Sequence, residues 1–241
     1  MRKKPSQAHI DYIAGCMREQ GYNSNLDQPG SSKPPAGYKQ TKNLDNFFRQ
    51  DFPPGDNFWG IPDTEPVTTD LTGIRWTSFG EKAKIANAEN TGIHFYVDDY
   101  KFESVWTRPD KWIDLLRACR AVVSPDYSNY TDMSRAQQLW NHYRRQWCAR
   151  YWQERGVTVV SSLSWACGHL EAWNFAGIPR GTTCATSFVA DGLDKQQSID
   201  ELLRVVDLVK PCNLYIKANK TDENILRDHL DFGLIKPYNW G

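Results

Sequence analysis

Asp98 and Asp99 follow directly on the apolar run at residues 94–97, and Asp126 follows a second run at residues 121–124 across Pro125. A carboxylate at the end of a buried strand can act as general base, as nucleophile or as stabiliser of an oxocarbenium-like cation. Partial desolvation, here by Tyr100, Tyr127, Tyr130 and Trp165, strengthens each of these roles. The structural alternative is that Asp98 or Asp99 caps the next helix and that Asp126 makes an Asx turn. Two carboxylates at one tip also suit Mg²⁺, which opens a metal-dependent nuclease reading built on Asp98, Asp99 and Asp126.

Further polar side chains fall near these tips. Ser128 and Tyr130 follow Asp126, and Ser164 and Trp165 end a third apolar run at residues 157–163. Asn141 and Arg144 are i, i+3 neighbours on an aromatic helical stretch, so both can meet one ligand, Asn by its amide and Arg by a fork to phosphate or carboxylate. Arg144 could equally pair with Asp126 and orient it. Trp140, Tyr143, Trp147 and Tyr151 on the same stretch are expected to face the sheet. Lys217, on the last strand, could bind phosphate or attack a sugar carbon, with snorkelling to solvent as the alternative.

Several chemistries lack their signatures. Ser161, Ser162 and Ser164 sit in no GxSxG elbow. His169-Leu170-Glu171 matches half of the zinc deaminase pattern, but Pro211-Cys212 is followed by Asn213, Leu214 and Tyr215, so the second half is missing. There is no GxGxxG, GxxxxGK[ST] or HExxH.

The elements that must position these residues read as a parallel α/β sheet. Apolar runs ending in polar residues, with helical sequence between them, predict strands at residues 71–79, 92–97, 121–124, 157–163, 183–190 and 213–218. Helices are expected at residues 102–119, from Thr131-Asp132 to about residue 155 with Gly156 as C-cap, at 194–208 and at 222–232, with a short piece at 169–175. Six strand-helix units in this length are fewer than a complete eightfold barrel uses. The expected fold is therefore a partial or distorted TIM-like barrel or an open parallel sheet, and in either the strand tips share one face. Residues 1–20 suggest a short amphipathic helix (Ile10, Ile13, Ala14, Met17). Residues 21–42 are rich in Asn, Ser, Pro and Gly and read as an arm or linker. The expected organisation is an N-terminal helix and basic arm over residues 1–46 and a catalytic domain over 47–241.

The 241 residues carry 29 Lys plus Arg against 29 Asp plus Glu, so a nucleic-acid contact needs a local patch rather than an overall basic field. Six scattered cysteines without a CxxC pair argue against a zinc ribbon or a disulfide framework. With no signal h-region and no long apolar run, a cytoplasmic protein without membrane contact is expected.

The segments GIHFYVDDYKFESVW, VVSPDYSNYTDMSRAQQLWNHYRRQ, YWQERGVTVVSSLSW and WGIP resemble the family known as domain of unknown function 4417, found in bacteria, phages and mobile elements. The similarity spans residues 58–218. Its motif positions fall on Asp98, Asp99, Asp126, Ser128, Tyr130, Asp132, Trp140, Asn141, Tyr143, Arg144, Ser164 and Trp165, and a mobile-element setting implies work on nucleic acid. The expected function is hydrolysis of an N-glycosidic bond in DNA. Asp126, or Asp98 or Asp99, would serve as the carboxylate, Tyr127, Tyr130 and Trp165 as a platform for an extruded base, Asn141 for the base edge, and Arg144 and Lys217 for phosphate. That chemistry needs no cofactor and no metal. The alternatives are a non-catalytic DNA-binding protein and the nuclease named above.

Overall fold

In the computed structural model, residues 55–188 and 195–236 are described. The amphipathic helix and arm expected over residues 1–46 lie outside them. Seven strands, β1 (Arg75–Ser78), β2 (Thr91–His94), β3 (Ala121–Val123), β4 (Val159–Ser162), β5 (Thr183–Ser187), β6 (Asn213–Lys217) and β7 (Gly233–Leu234), pair in sequence order. Every pairing is parallel. The order never reverses, so this is the winding of a barrel stopped short of closure.

The two faces of the sheet pack differently. One carries Phe95, Val122 and Val159, then Leu163, Cys184 and Ile216, against the helices. The other carries Trp76, Tyr96, Val123, Val160, Ala185 and Tyr215, which form a cluster of their own with Leu71 and Ile235. A sheet face can pack on itself only if the sheet curls. The Trp76 and Tyr215 rings, on β1 and β6, accordingly lie 5.8 Å apart across the hollow. The fold is a curled half-barrel, as the strand-tip reasoning expected.

The outer layer contains α1 (Ser104–Thr107), α2 (Ile113–Ala118), α3 (Arg135–Gln153), α4 (Lys195–Val209) and α5 (Lys220–Arg227). The single helix expected at residues 102–119 is broken. Pro109 keeps Arg108 out of the helical region (φ −139°, ψ 67°), and a 3-10 turn at Pro109–Trp112 restarts the coil. α3 begins at Ser134, not at Thr131 or Asp132. Ser134 accepts from the Gln137 backbone while the Gln137 side chain reaches back, a complete capping box. Gly156 sits just past its end at φ 79°. Residues 169–175 form turns rather than a helix, so β4 and β5 are joined by an irregular crossover. α5 starts at Asn219, whose side chain accepts from the Asp222 backbone. The helix expected to run to residue 232 stops at Arg227, and Gly233 opens the two-residue β7. No described helix is long and apolar enough to cross a membrane.

The segment before β1 staples the amino-terminal ends of the strands. Thr64 N donates to the Gly177 carbonyl (2.9 Å), Val67 N to Thr182 Oγ1 (2.9 Å) and Leu71 N to Tyr215 Oη (2.7 Å). Gly177 holds a left-handed φ of 79°, and a Cβ there would run into the Pro62 carbonyl. Gly177→Ala is expected to cost about 2–3 kcal/mol, since neither the strained φ nor a backbone contact relaxes cheaply. Urea denaturation measures it.

Candidate active site

β3 ends at Val123, and Pro125, which has no N–H to give the ladder, separates it from Asp126. Its carboxylate turns toward β4 and toward a side chain of α3. It accepts from Ser162 Oγ at 3.2 Å and lies 3.6 Å from the guanidinium of Arg145. The Asp126 side chain keeps 22% exposure, whereas Arg145 has none. Burial lifts the Asp126 carboxyl above the usual carboxylate range, against the pull of Arg145 and of hydrogen bonds from Ser162 and Ser164, and the charge of Asp99 adds to the rise.

Arg145 is the residue that sequence reasoning missed. Arg144, for which a ligand contact and a pairing with Asp126 were the two expected roles, does not reach Asp126. Its guanidinium reaches Glu103 (3.2 Å) and Asn141 Oδ1 (2.7 Å) and stacks 3.8 Å above the Tyr127 ring. Arg145 Nε donates to the Pro125 carbonyl and Nη2 to the Tyr127 carbonyl, both at 3.1 Å, while Nη1 meets His142 Nδ1 at 3.4 Å. His142 Nε2 lies 2.9 Å from the Ala176 carbonyl, so the proton belongs on Nε2. Burial first, then Arg145, hold this imidazole neutral with a pKa of about 3.

The other expected site residues divide. Asp99 accepts from the Ser128 hydroxyl (2.9 Å) and backbone (3.2 Å), which fixes the 125–130 loop beside Asp126. Asp98 turns to solvent and pairs with Lys101 at 2.8 Å, and a hydrogen bond from Lys101 keeps its carboxyl low. It makes no side-chain cap. Asp98 therefore turns away while Asp99 stays near enough to act on Asp126 by its charge, and among the described residues no three His, Cys, Asp or Glu side chains gather as a metal site. Asn141 is spent on the loop: Nδ2 donates to the Ser128 carbonyl (2.6 Å), and its oxygen accepts from Arg144. Tyr127 is fully buried against Phe102 and presents no face to a ligand. Tyr130, by contrast, is 61% exposed, with its hydroxyl 3.3 Å from Ser128 Oγ.

Beside Asp126 a cleft of about 120 Å³ opens between the ends of β4 and β5 and helix α4, lined by Ser164, Trp165, Ser187, Phe188 and Glu201. Trp165 Nε1 donates to Glu201 at 2.9 Å, and the Gly168 backbone does so at 2.8 Å. Burial works to raise the Glu201 carboxyl, but the hydrogen bonds from Trp165, Gly168 and Gln197 prevail and hold it below its ordinary value. Glu201 too was overlooked. The signal was a Glu set within the buried stripe Ser198, Ile199, Leu202 and Val205 of α4. Across the mouth, Lys217 Nζ donates to the Tyr96 carbonyl (3.0 Å). Tyr96 is buried, and its hydroxyl has no partner of ordinary geometry, although Asp126 and Ser162 are near enough to perturb it.

A model of the family described as Domain of unknown function (DUF4417) matches residues 53–232. The chain belongs to that family. Among curated proteins, the Gene 1 protein of Mycobacterium phage D29 is 35% identical over 134 residues, covering 56% of this chain and 50% of its own length. The Gene 1 protein of Mycobacterium phage L5 is 40% identical over 118 residues, covering 48% of this chain and 51% of its own. The chain thus spans about half the length of these phage proteins. No solved structure matches it.

Proposed function

We propose that this DUF4417 chain hydrolyses an N-glycosidic bond in DNA, with Asp126 as the carboxylate that activates water. The observation that carries this reading is that one cleft holds two carboxylates whose environments push them in opposite directions, Asp126 upward and Glu201 downward. Such divergence separates a proton-exchanging group from a fixed anion. In the step, Asp126 takes a proton from water as the water oxygen bonds to the sugar carbon. The carbon–nitrogen bond breaks, and its electron pair leaves with the base. Glu201 remains charged, favours the cationic character of the sugar and holds Trp165 in place.

The cleft's size supports a single small ring. At about 120 Å³ it lies well below the roughly 300–1,000 Å³ of sites for drug-sized ligands, so the rest of a polymer must lie along the open rim. Two exposed rings, Tyr100 and Tyr130, close in sequence to Asp99 and Asp126, are available for stacking. The phage setting of the relatives favours a nucleic acid over a free nucleoside.

The test is incubation with DNA carrying modified or unmodified bases, followed by alkali. Alkali-dependent breaks support the reading. Direct, EDTA-sensitive breaks would replace it with the nuclease, and a salt-dependent gel shift without products would replace it with a binding protein. A pH profile adds a second check. The ionised Asp126 is the active form, so base release is lost as pH falls through a midpoint above the roughly 3.9 of a free aspartate. Asp99→Asn removes a neighbouring negative charge and is expected to move that midpoint down.

A further inference from the structure

We propose that Lys217 is a nucleophile that forms a Schiff base with the aldehyde of a ring-opened sugar. The inference rests on the N-glycosidic reading for its substrate. Lys217 ends β6 and sits in register with Ser187, a residue of the cleft wall. Its side chain does not run out to solvent. It crosses the hollow of the half-barrel to the Tyr96 carbonyl beyond the end of β2, with β3, β4 and β5 between the two strands. That places the amine beside the cleft, near enough to Asp126 for the carboxylate's charge to act on it.

The amine is also poorly neutralised. Among the described residues Lys217 joins no ion pair within 4 Å, and one backbone carbonyl is a single acceptor for three N–H donors. Burial lowers the ammonium pKa, and the charge of Asp126 only partly restores it. A lysine held in this way supplies the unprotonated amine that attack on a carbonyl requires. His94, stacked on Tyr96 at 5.6 Å, lies on the same face and adds no competing charge: burial, with Lys217 next, holds it neutral with a pKa of about 3.

In the step, the Nζ lone pair bonds to C1 as the C1–O π bond opens, and a proton passes from nitrogen to that oxygen through solvent or Asp126, giving a carbinolamine. The nitrogen lone pair then expels the hydroxyl, which takes the second nitrogen proton by the same route and leaves as water, giving the imine. Water reverses the reaction and frees the lysine.

Borohydride trapping tests this on the full chain, using duplex DNA with a preformed abasic site so that no base release is needed. The wild-type protein is expected to yield a covalent adduct that survives denaturing electrophoresis and maps to Lys217 by peptide mass. Lys217→Ala and Lys217→Arg are expected to lose it, the latter keeping the charge and the capacity to bond Tyr96. Thermal melting confirms that both variants fold. An adduct on another lysine, or none with folded wild-type protein, would overturn the proposal. Trapping without base release from intact DNA would reject the glycosidic reading and keep the nucleophile. Base release without trapping would do the reverse.

Discussion

Asp126→Asn is expected to reduce base release by about 10²–10⁴ in rate, the span a positioned general base contributes, and to leave the fold at least as stable. The two parts of this result come from one cause. Folding raises the Asp126 carboxyl, so its charged form is disfavoured in the native state. The resulting cost to stability is absent below the carboxyl's unfolded value. It grows as pH rises to the folded value and is complete above it. Asn is neutral at every pH, is nearly the same shape and can still accept from Ser162, so it removes the cost along with the base. Arg145 keeps the Pro125 and Tyr127 carbonyls and His142. Single-turnover base release read beside thermal melting separates the outcomes. Retained activity would reject Asp126 as the base. Lost activity with a collapsed melting temperature would make it a structural residue.

Arg145→Met is expected to act in the opposite direction, destabilising the protein by about 3–5 kcal/mol, the cost of removing one partner from a buried charged pair. Arg145 has no exposed surface. Its loss strands the Pro125 and Tyr127 carbonyls, each worth roughly 1–3 kcal/mol if left without a donor, and leaves Asp126 without its cation. The 125–130 loop should loosen as a unit. Urea denaturation reads the loss. Combining Arg145→Met with Asp126→Asn should recover part of it, because the uncompensated carboxylate is gone and the two changes share one interaction. Strict additivity would show that the pair is not coupled.

The difference between Arg144 and Arg145 shows what was legible in the residues and what was not. β2 to β6 could be read because parallel strands buried on both faces appear as short apolar runs, and the polar residues ending them marked the mouth. Asp126 was visible by that logic. Neighbouring positions on a helix point about 100° apart, and the buried face is usually found by its apolar stripe. On α3 that face includes Gln138, Asn141, His142, Arg145 and Gln146. A polar stripe facing inward leaves no hydrophobic period, so the choice between adjacent arginines had nothing to rest on. Glu201 was hidden inversely, as one charge in a strong apolar period. Tyr127 and Asn141 looked like ligand groups by type, but tertiary contacts with Phe102 and Ser128 use them to build the loop. β7, at two residues, is too short to leave a pattern at all.

The stapling of the half-barrel's base by residues before β1 carries a consequence for synthesis. Leu71 N finds its partner at Tyr215, 144 residues further along. At the roughly 5–20 residues per second of translation, that interval lasts about 7–30 s. The Leu71 contact must wait for Tyr215, and until then this part of the nascent sheet's floor stays open to chaperones.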